Sequence, residues 1–340
     1  MNTDNKLFIS VVLPCYNEEA ILRKHCDVIV NYLGLIENKY NWEVIIVNDG
    51  SKDKTGEIAD EIAKQNPKIT VVHHPINLNL GLALQTGFRY AKGDIIVVMD
   101  VDLSYSVEFI GQMVDKLVET SSDIVIASPY MKGGKVTAVP FSRRVLSRWV
   151  NRIMRVAAQD KYHTYTSMVR AYKSEFIKTV NLKTRDYEVS PEILYKAMIL
   201  RARVTEIPAH LDWTEQNKYK GKRTSSIRML RGFFSGIMSS FIFRPYIFFM
   251  VIGIILLLLS LYELVWLLVD TLVYVSSNAN VATSFSEGLF VEFRKNPQSF
   301  IVGGITFITA IQFLSLAFIS LQNKRYFEEL FHLGTSFKKK

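Results

Sequence analysis

Asp94-Ile-Ile-Val-Val-Met-Asp-Val-Asp-Leu-Ser104 joins an apolar run to a pair of carboxylates. The apolar run Ile95 to Met99 has the length and β-branched content of a strand buried on both faces. It ends in Asp100-Val101-Asp102, which puts two carboxylates at the carboxyl end of a strand, where open α/β sheets bind ligands. In Asp-x-Asp the backbone can turn both carboxylates toward one divalent cation. Mg²⁺ and Mn²⁺ favour such hard oxygen ligands and are often shared with substrate phosphates. Taken alone, the pair also suits a solvated acidic turn, so the surrounding chain decides.

Outward from this run the N-terminal half alternates strands and helices. Phe8 to Leu13, Trp42 to Val47, Ile69 to His73 and Asp123 to Ala127 read as further strands. Helical patterns start near Ala20 and run over Thr55 to Gln65, Gly81 to Ala91 and Val107 to Glu119. Such alternation predicts a Rossmann-like α/β domain, a mostly parallel sheet covered by helices. Asp49-Gly50 is a turn signal after the second strand. No Gly-x-Gly-x-x-Gly follows the first strand and no Walker A sequence occurs, which disfavours a dinucleotide-dependent dehydrogenase and a P-loop kinase. Further on, Ser190 to Leu200 reads as a helix and Val204 to Ala209 as a strand.

Hydrophobic residues make up 49% of the 340, and the excess sits in the C-terminal third. Ile247 to Val269 and Phe300 to Leu321 are each long enough to span a bilayer. Ser225 to Phe243 mixes Arg228 and Arg231 with Phe233, Phe234 and Ile237, the pattern of a helix lying in the interface. The net charge of +9 clusters around these segments, which favours an anionic membrane face or a phosphorylated substrate over nucleic acid. Basic residues before the first span and after the second, against a mixed loop between, place the first domain and the tail in the cytosol. The absence of an N-terminal apolar signal region agrees with that. The two cysteines, Cys15 and Cys26, do not make a disulfide framework.

Four short motifs occur in order: Val12-Leu-Pro-Cys-Tyr-Asn-Glu-Glu19, Val47-Asn-Asp-Gly-Ser51, Asn79-Leu-Gly-Leu82 and Asp100-Val-Asp-Leu-Ser104. Each is weak alone, and the ordered set resembles the family 2 glycosyltransferases of GT-A fold. Gly133-Gly134, Arg143 to Arg148, Thr166-Ser-Met-Val-Arg170 and Glu206-Ile-Pro208 extend the resemblance to the polyprenyl-phosphate glycosyltransferases, over roughly residues 6 to 230. The resemblance implies four parts. Residues 1–222 would be a GT-A catalytic domain, 223–244 a juxtamembrane amphipathic helix, 245–322 two transmembrane helices with a non-cytosolic loop at about 270–298, and 323–340 a basic cytosolic tail.

The same resemblance implies roles. Pro14, Tyr16, Glu18, Asp49, Asp100 and Val101 would hold the nucleotide of a sugar donor. Asp100 and Asp102, with Ser104 as a further polar ligand, would bind Mg²⁺ or Mn²⁺. Arg143 and Ser147, with Arg144 beside them, would hold the acceptor phosphate. Arg143 and Ser147 lie four apart and share a face if the stretch is helical; a solvated basic helix face is the plainer reading. Glu192 matches an acid of the family by position and would serve equally as a first-turn helix carboxylate. Two departures stand out: Pro129 replaces an arginine in Ser128-Pro129-Tyr130, and Thr164 stands where the family carries an acid, with Asp160 upstream. The function implied is an inverting transfer of one sugar from a nucleotide diphosphate sugar to undecaprenyl or dolichyl phosphate at the bilayer, with room for a homo-oligomer through the transmembrane region. A transferase for another lipid acceptor, or a non-catalytic membrane scaffold, are the competing classes.

Overall fold

The computed structural model describes residues 6–158, 160–219, 245–278 and 284–338. They divide into two compact units, an N-terminal α/β unit and a unit of apolar helices within 245–329. The stretch Ser225 to Phe243, expected to be an interfacial helix, lies outside the described residues.

Strands form where β-branched residues run together. β1 (Phe8–Cys15), β2 (Asn41–Asn48), β3 (Ile69–His73), β4 (Ile95–Val98) and β5 (Ile124–Ser128) alternate with α1 (Leu22–Leu35), α2 (Thr55–Gln65), α3 (Leu80–Tyr90) and α4 (Glu108–Thr120). β4 is Ile-Ile-Val-Val and every residue of it is buried, as its composition predicts. Successive strand side chains point to opposite faces. Ile9, Val11 and Leu13 therefore pack in one layer with α1, α2 and α4, while Val12 packs in the other with α3.

Beyond β5 the chain adds β6 (Lys135–Thr137), α5 (Phe141–Ala157), β7 (Arg170–Lys173), α6 (Ser174–Thr179), α7 (Val189–Ile199), β8 (Val204–Pro208), β9 (His210–Asp212) and α8 (Thr214–Tyr219). The main sheet has seven strands in the order β3-β2-β1-β4-β7-β5-β8. Its pairings are parallel except those of β7, which runs antiparallel to β4 and β5. The sequence reading contains no strand at β7, and the reason is physical. Arg-Ala-Tyr-Lys has no apolar alternation, and its place in the sheet depends on distant partners. Arg170 is fully buried, and its guanidinium donates to the carbonyls of Ser190 (2.8 Å) and Tyr165 (2.7 Å).

The second unit holds α9 (Pro245–Ser277), α10 (Phe285–Lys295) and α11 (Pro297–Lys338) as far as Glu329. α9 and α11 are long and apolar enough to cross a membrane, and only 11% of each apolar window is buried, unlike the core helices of a soluble protein. They approach closely where side chains are small: a Cβ on Gly253 would stand 2.9 Å from Leu314, and Ala310 is fully buried. Small residues at such contacts let helices pack without a hydrophobic driving force. Both helices exceed the expected spans. α10 lies in the expected loop; its signal was Ser284 and Glu287, which form a capping box at its N-terminus.

Candidate active site

In the sheet β1 lies between β2 and β4. The chain runs outward from β1 through β2 to β3 and then returns to β4 on the other side. Such a reversal opens a crevice at the carboxyl ends of the two strands flanking it. Val12 pairs with Val98, so Pro14 and Asp100 each stand two residues beyond that pair. A cleft of about 730 Å³ opens there, and Pro14, Tyr16, Glu18, Asp49, Asp100, Asp102, Ser104, Arg143 and Ser147 all line it.

Tyr16 and Glu18 reach the cleft because the loop after β1 is tied to the loop after β2. Asn17 takes a left-handed φ of 57°. Its N–H donates to Ser51 Oγ at 3.0 Å, and its Oδ1 accepts from the Lys52 N–H at 2.8 Å. The Glu18 N–H donates to Thr55 Oγ1 at 2.8 Å. Ordinary helix-start chemistry would have Glu18 cap α1; instead α1 has no side-chain cap. Asp49 is buried, and its Oδ1 accepts from His74 Nδ1 at 2.7 Å and from the Leu78 N–H at 2.9 Å. His74 also bonds Thr86 Oγ1 at 2.9 Å through Nε2, which fixes the ring between α3 and the carboxylate.

The pair at the end of β4 is held from both sides. Asp102 Oδ1 accepts from the Ser104 N–H at 3.0 Å, and Gln216 Nε2 of α8 donates to Asp102 Oδ2. The Asp212 N–H donates to the Ser104 carbonyl at 2.9 Å, joining β9 to this turn. α5 presents Arg143 and Ser147 on one face, as their spacing predicts, with the Arg143 guanidinium 5.2 Å from the centroid of the Trp213 ring. Asn151 of α5 clamps the loop before β7: its Oδ1 accepts from the Tyr165 N–H at 2.6 Å, and its Nδ2 donates to Thr166 Oγ1 at 3.1 Å. Glu206 holds the same loop, with Oε1 accepting from the Thr164 N–H at 3.0 Å and Oε2 from the His163 N–H at 2.8 Å. Thr164, Thr166 and Ser167 thereby line the cleft.

Val101 and Arg144 do not line it. The Val101 side chain is buried in the core, and its carbonyl accepts from His25 Nδ1 at 2.8 Å. Arg144 sits over the Phe141 ring, and its Nε is buried without a hydrogen-bond partner. Glu192 also belongs to the scaffold: it accepts from the Lys183 and Thr184 N–H groups at 3.0 and 2.9 Å and pairs with Lys196 at 2.5 Å. His74, Trp213 and Gln216 escaped the sequence reading. Gln216 stands 114 residues from its partner Asp102, and no local pattern links them.

The charges are uneven. Glu18, Asp49, Asp100, Asp102 and Asp186 line the cleft, while Arg143 is the only Arg or Lys among the described residues that line it. Cys15 lines it too. Burial, and then Glu18, push its thiol far above the ordinary range, so it stands there as a neutral thiol rather than a nucleophile.

Residues 10–180 match the Glycosyl transferase family 2 profile. The chain belongs to this family. Among family 2 relatives, the dolichyl-phosphate beta-glucosyltransferase of Trichomonas vaginalis is 29% identical over 231 residues, 66% of this chain and 71% of that protein. The dolichol-phosphate mannosyltransferase of Pyrococcus furiosus is 33% identical over 204 residues, 59% of this chain and 55% of that protein. The polyprenol monophosphomannose synthase of Mycolicibacterium smegmatis is 30% identical over 224 residues, 64% of this chain and 81% of that protein. The fold is shared with glucosyl-3-phosphoglycerate synthase from Mycobacterium tuberculosis, solved with Mg²⁺ and uridine diphosphate. The TM-score is 0.50 and the identity 20%, over 69% of this chain and 79% of that one. Family 2 membership makes the protein a glycosyltransferase and accounts for the ordered motifs around the cleft.

Proposed function

We propose that this glycosyltransferase moves one sugar from a nucleotide diphosphate sugar to a polyprenyl phosphate at the membrane surface, with inversion at the sugar carbon. The observation that carries the reading is a single cleft lined by an acidic wall at the ends of β1, β2 and β4 and by Arg143 and Ser147 of α5. The names of the relatives, which act on dolichyl, dolichol and polyprenol phosphates, support the acceptor class.

Tyr16, Glu18 and Asp49 would hold the nucleoside, a buried carboxylate such as Asp49 accepting from a base N–H. An acidic wall repels a diphosphate unless a cation stands between them, and the donor set fits that need. Asp100 and Asp102 offer hard oxygens suited to Mg²⁺ or Mn²⁺. Among the described residues no third His, Cys, Asp or Glu joins them in a metal-binding group; Ser104, which also lines the cleft, would be a further polar ligand, with oxygens from outside the protein supplying the rest. Bound there, the cation would offset charge on the departing nucleotide. Gln216 and the Ser104 N–H hold the Asp102 carboxylate in place. Arg143 and Ser147 would hold the acceptor phosphate. With a second pKa of about 6, that phosphate is already anionic near neutral pH. It therefore needs no dedicated base, and catalysis rests on placing it in line with the sugar carbon.

The test incubates the purified full chain in bilayers with labelled sugar nucleotides and undecaprenyl or dolichyl phosphate. Label recovered in a polyprenyl-phosphate sugar supports the reading. Label confined to another lipid, or none in any lipid, overturns it.

A further inference from the structure

The fold treats the two oxygens of the buried Asp49 carboxylate differently. Oδ1 accepts twice, from His74 Nδ1 at 2.7 Å and from the Leu78 N–H at 2.9 Å. Oδ2 accepts from none of the described residues. It is not among the buried polar atoms sealed off without a partner, so it opens on the cleft that Asp49 lines. An ionised carboxylate can only accept, so His74 carries a proton on Nδ1 and donates it. The buried ring is held in that pose from its far side, where Nε2 bonds Thr86 Oγ1 of α3 at 2.9 Å. A carboxylate that could offer the cleft a two-pronged acceptor is thereby left with one free oxygen.

The residue ahead of Leu78 supplies a donor. Asn77 lines the same cleft, and its Oδ1 accepts from the Asn79 N–H at 3.2 Å. Its Nδ2 is the polar atom left for a ligand, and an amide nitrogen only donates. One acceptor oxygen and one amide donor match the imide edge of uracil or thymine, where a single N3–H stands between two carbonyls. Guanine presents two adjacent donors, N1–H and the N2 amine, which call for both oxygens of a carboxylate. Against Asp49 one of these donors would stay unpaired in a desolvated site, which weakens binding. Cytosine has no N3–H to give.

We propose that His74 is a positioning residue that sets the base of the donor: by occupying Asp49 Oδ1 it leaves Oδ2 to read a single imide N–H, so the cleft takes a uridine or thymidine diphosphate sugar and rejects a guanosine one. This rests on reading the cleft as a nucleotide-sugar site. On that reading Asp49 receives the N3–H, Asn77 donates to a flanking carbonyl, and His74 and Thr86 act on the base only through the carboxylate they orient.

The test is calorimetric binding of nucleoside diphosphates to the purified full chain in nanodiscs with Mn²⁺. UDP should bind about tenfold or more tightly than GDP and CDP. N3-methyl-UDP, which lacks the donor, should bind about tenfold or more weakly than UDP. The dTDP arm separates the two imide sources: weaker binding than UDP assigns uridine, equal or tighter binding thymidine. His74→Ala frees Oδ1 and should narrow the UDP-to-GDP ratio by roughly threefold or more. His74→Gln, whose amide can donate to Oδ1, should restore most of the ratio. Thr86→Val, a milder change outside the carboxylate, should shift it in the same direction as His74→Ala. GDP bound as tightly as UDP, or N3-methyl-UDP bound like UDP, overturns the proposal with wild-type protein alone. UDP and GDP weakened by the same factor in the variants would make His74 merely structural and overturn its role. Binding of no nucleoside diphosphate overturns this proposal and the functional reading together. Sugar transfer separates the two: a UDP preference without label in any polyprenyl phosphate leaves the base reading standing, whereas transfer from a guanosine donor alone keeps the acceptor reading and overturns this one.

Discussion

Asp102 is the residue whose loss tests the chemistry most directly. Its oxygens are already oriented by Gln216 and the Ser104 N–H, so Asp102→Asn changes charge more than shape. Transfer by the purified variant should fall on the order of 10²-fold or more, and nucleotide binding in Mg²⁺ or Mn²⁺ should weaken. Full activity would remove the metal assignment. Arg143→Ala should raise the KM for polyprenyl phosphate far more than the KM for the sugar nucleotide, by roughly 1.5–3 kcal/mol for one charge-assisted contact. A rise confined to the nucleotide would place Arg143 on the donor side. Glu192 tests the scaffold. Burial raises its pKa, but the hydrogen bonds from Lys196, Thr184 and Lys183 outweigh it and hold the carboxyl below its ordinary value of 4.5. A depressed carboxyl contributes stability that is fully present above that value and is lost as pH falls through the folded pKa. Glu192→Gln should therefore cost roughly 3 kcal/mol near neutral pH, and the gap from wild type in chemical denaturation should close as pH drops below 4.5. A gap constant with pH would contradict the charged pairing. At this scale the acidic wall of the cleft was readable, because Tyr16, Glu18, Asp49, Asp100 and Asp102 sit in short ordered motifs and all line it. His74, Trp213 and Gln216 were not, because each meets its partner only through the fold.

Among elements, β2, β4 and β5 were legible because each carries a run of apolar, largely β-branched residues buried on both faces. β7 was not, since Arg170 carries a charge into the core and is held there by two carbonyls. The turn after β2 was legible from Asp49-Gly50 and has a sharp consequence. Gly50 has a φ of 65°, and a Cβ there would stand 2.2 Å from the Ile76 carbonyl carbon. Gly50→Ala combines a disfavoured backbone with overpacking, about 1–3 kcal/mol. Thermal unfolding should come earlier and nucleotide binding should weaken, because Asp49 rides on that turn. Wild-type stability and affinity together would mean the turn is not under this constraint.

Over the whole molecule, the proposed division keeps a catalytic domain through residue 222 and a hairpin of two apolar helices after it. We propose, from the basic residues on either side of the two apolar helices, that the segment at about 270–298 faces away from the cytosol. Ser284 is exposed at the start of α10. Ser284→Cys in sealed membranes should react with an impermeant thiol reagent from the non-cytosolic side; labelling from the cytosolic side alone would invert the topology. The spans were legible from length and composition, while the interior of the loop needed the capping box to be noticed.

The antiparallel β7, wedged between β4 and β5, has a consequence for how the chain is made. Synthesis runs from the N-terminus, so β4 and β5 exist before the strand that joins them. Until residues 170–173 leave the ribosome, the nascent sheet is two fragments, each with an unpaired edge of the kind that invites wrong pairing. The last strand of the sheet, β8, pairs with β5 and ends at Pro208, and the first apolar helix begins at Pro245. The α/β unit therefore closes its sheet only shortly before the first long apolar helix emerges; on the proposed membrane reading, delivery to the bilayer and completion of the sheet would be nearly simultaneous events.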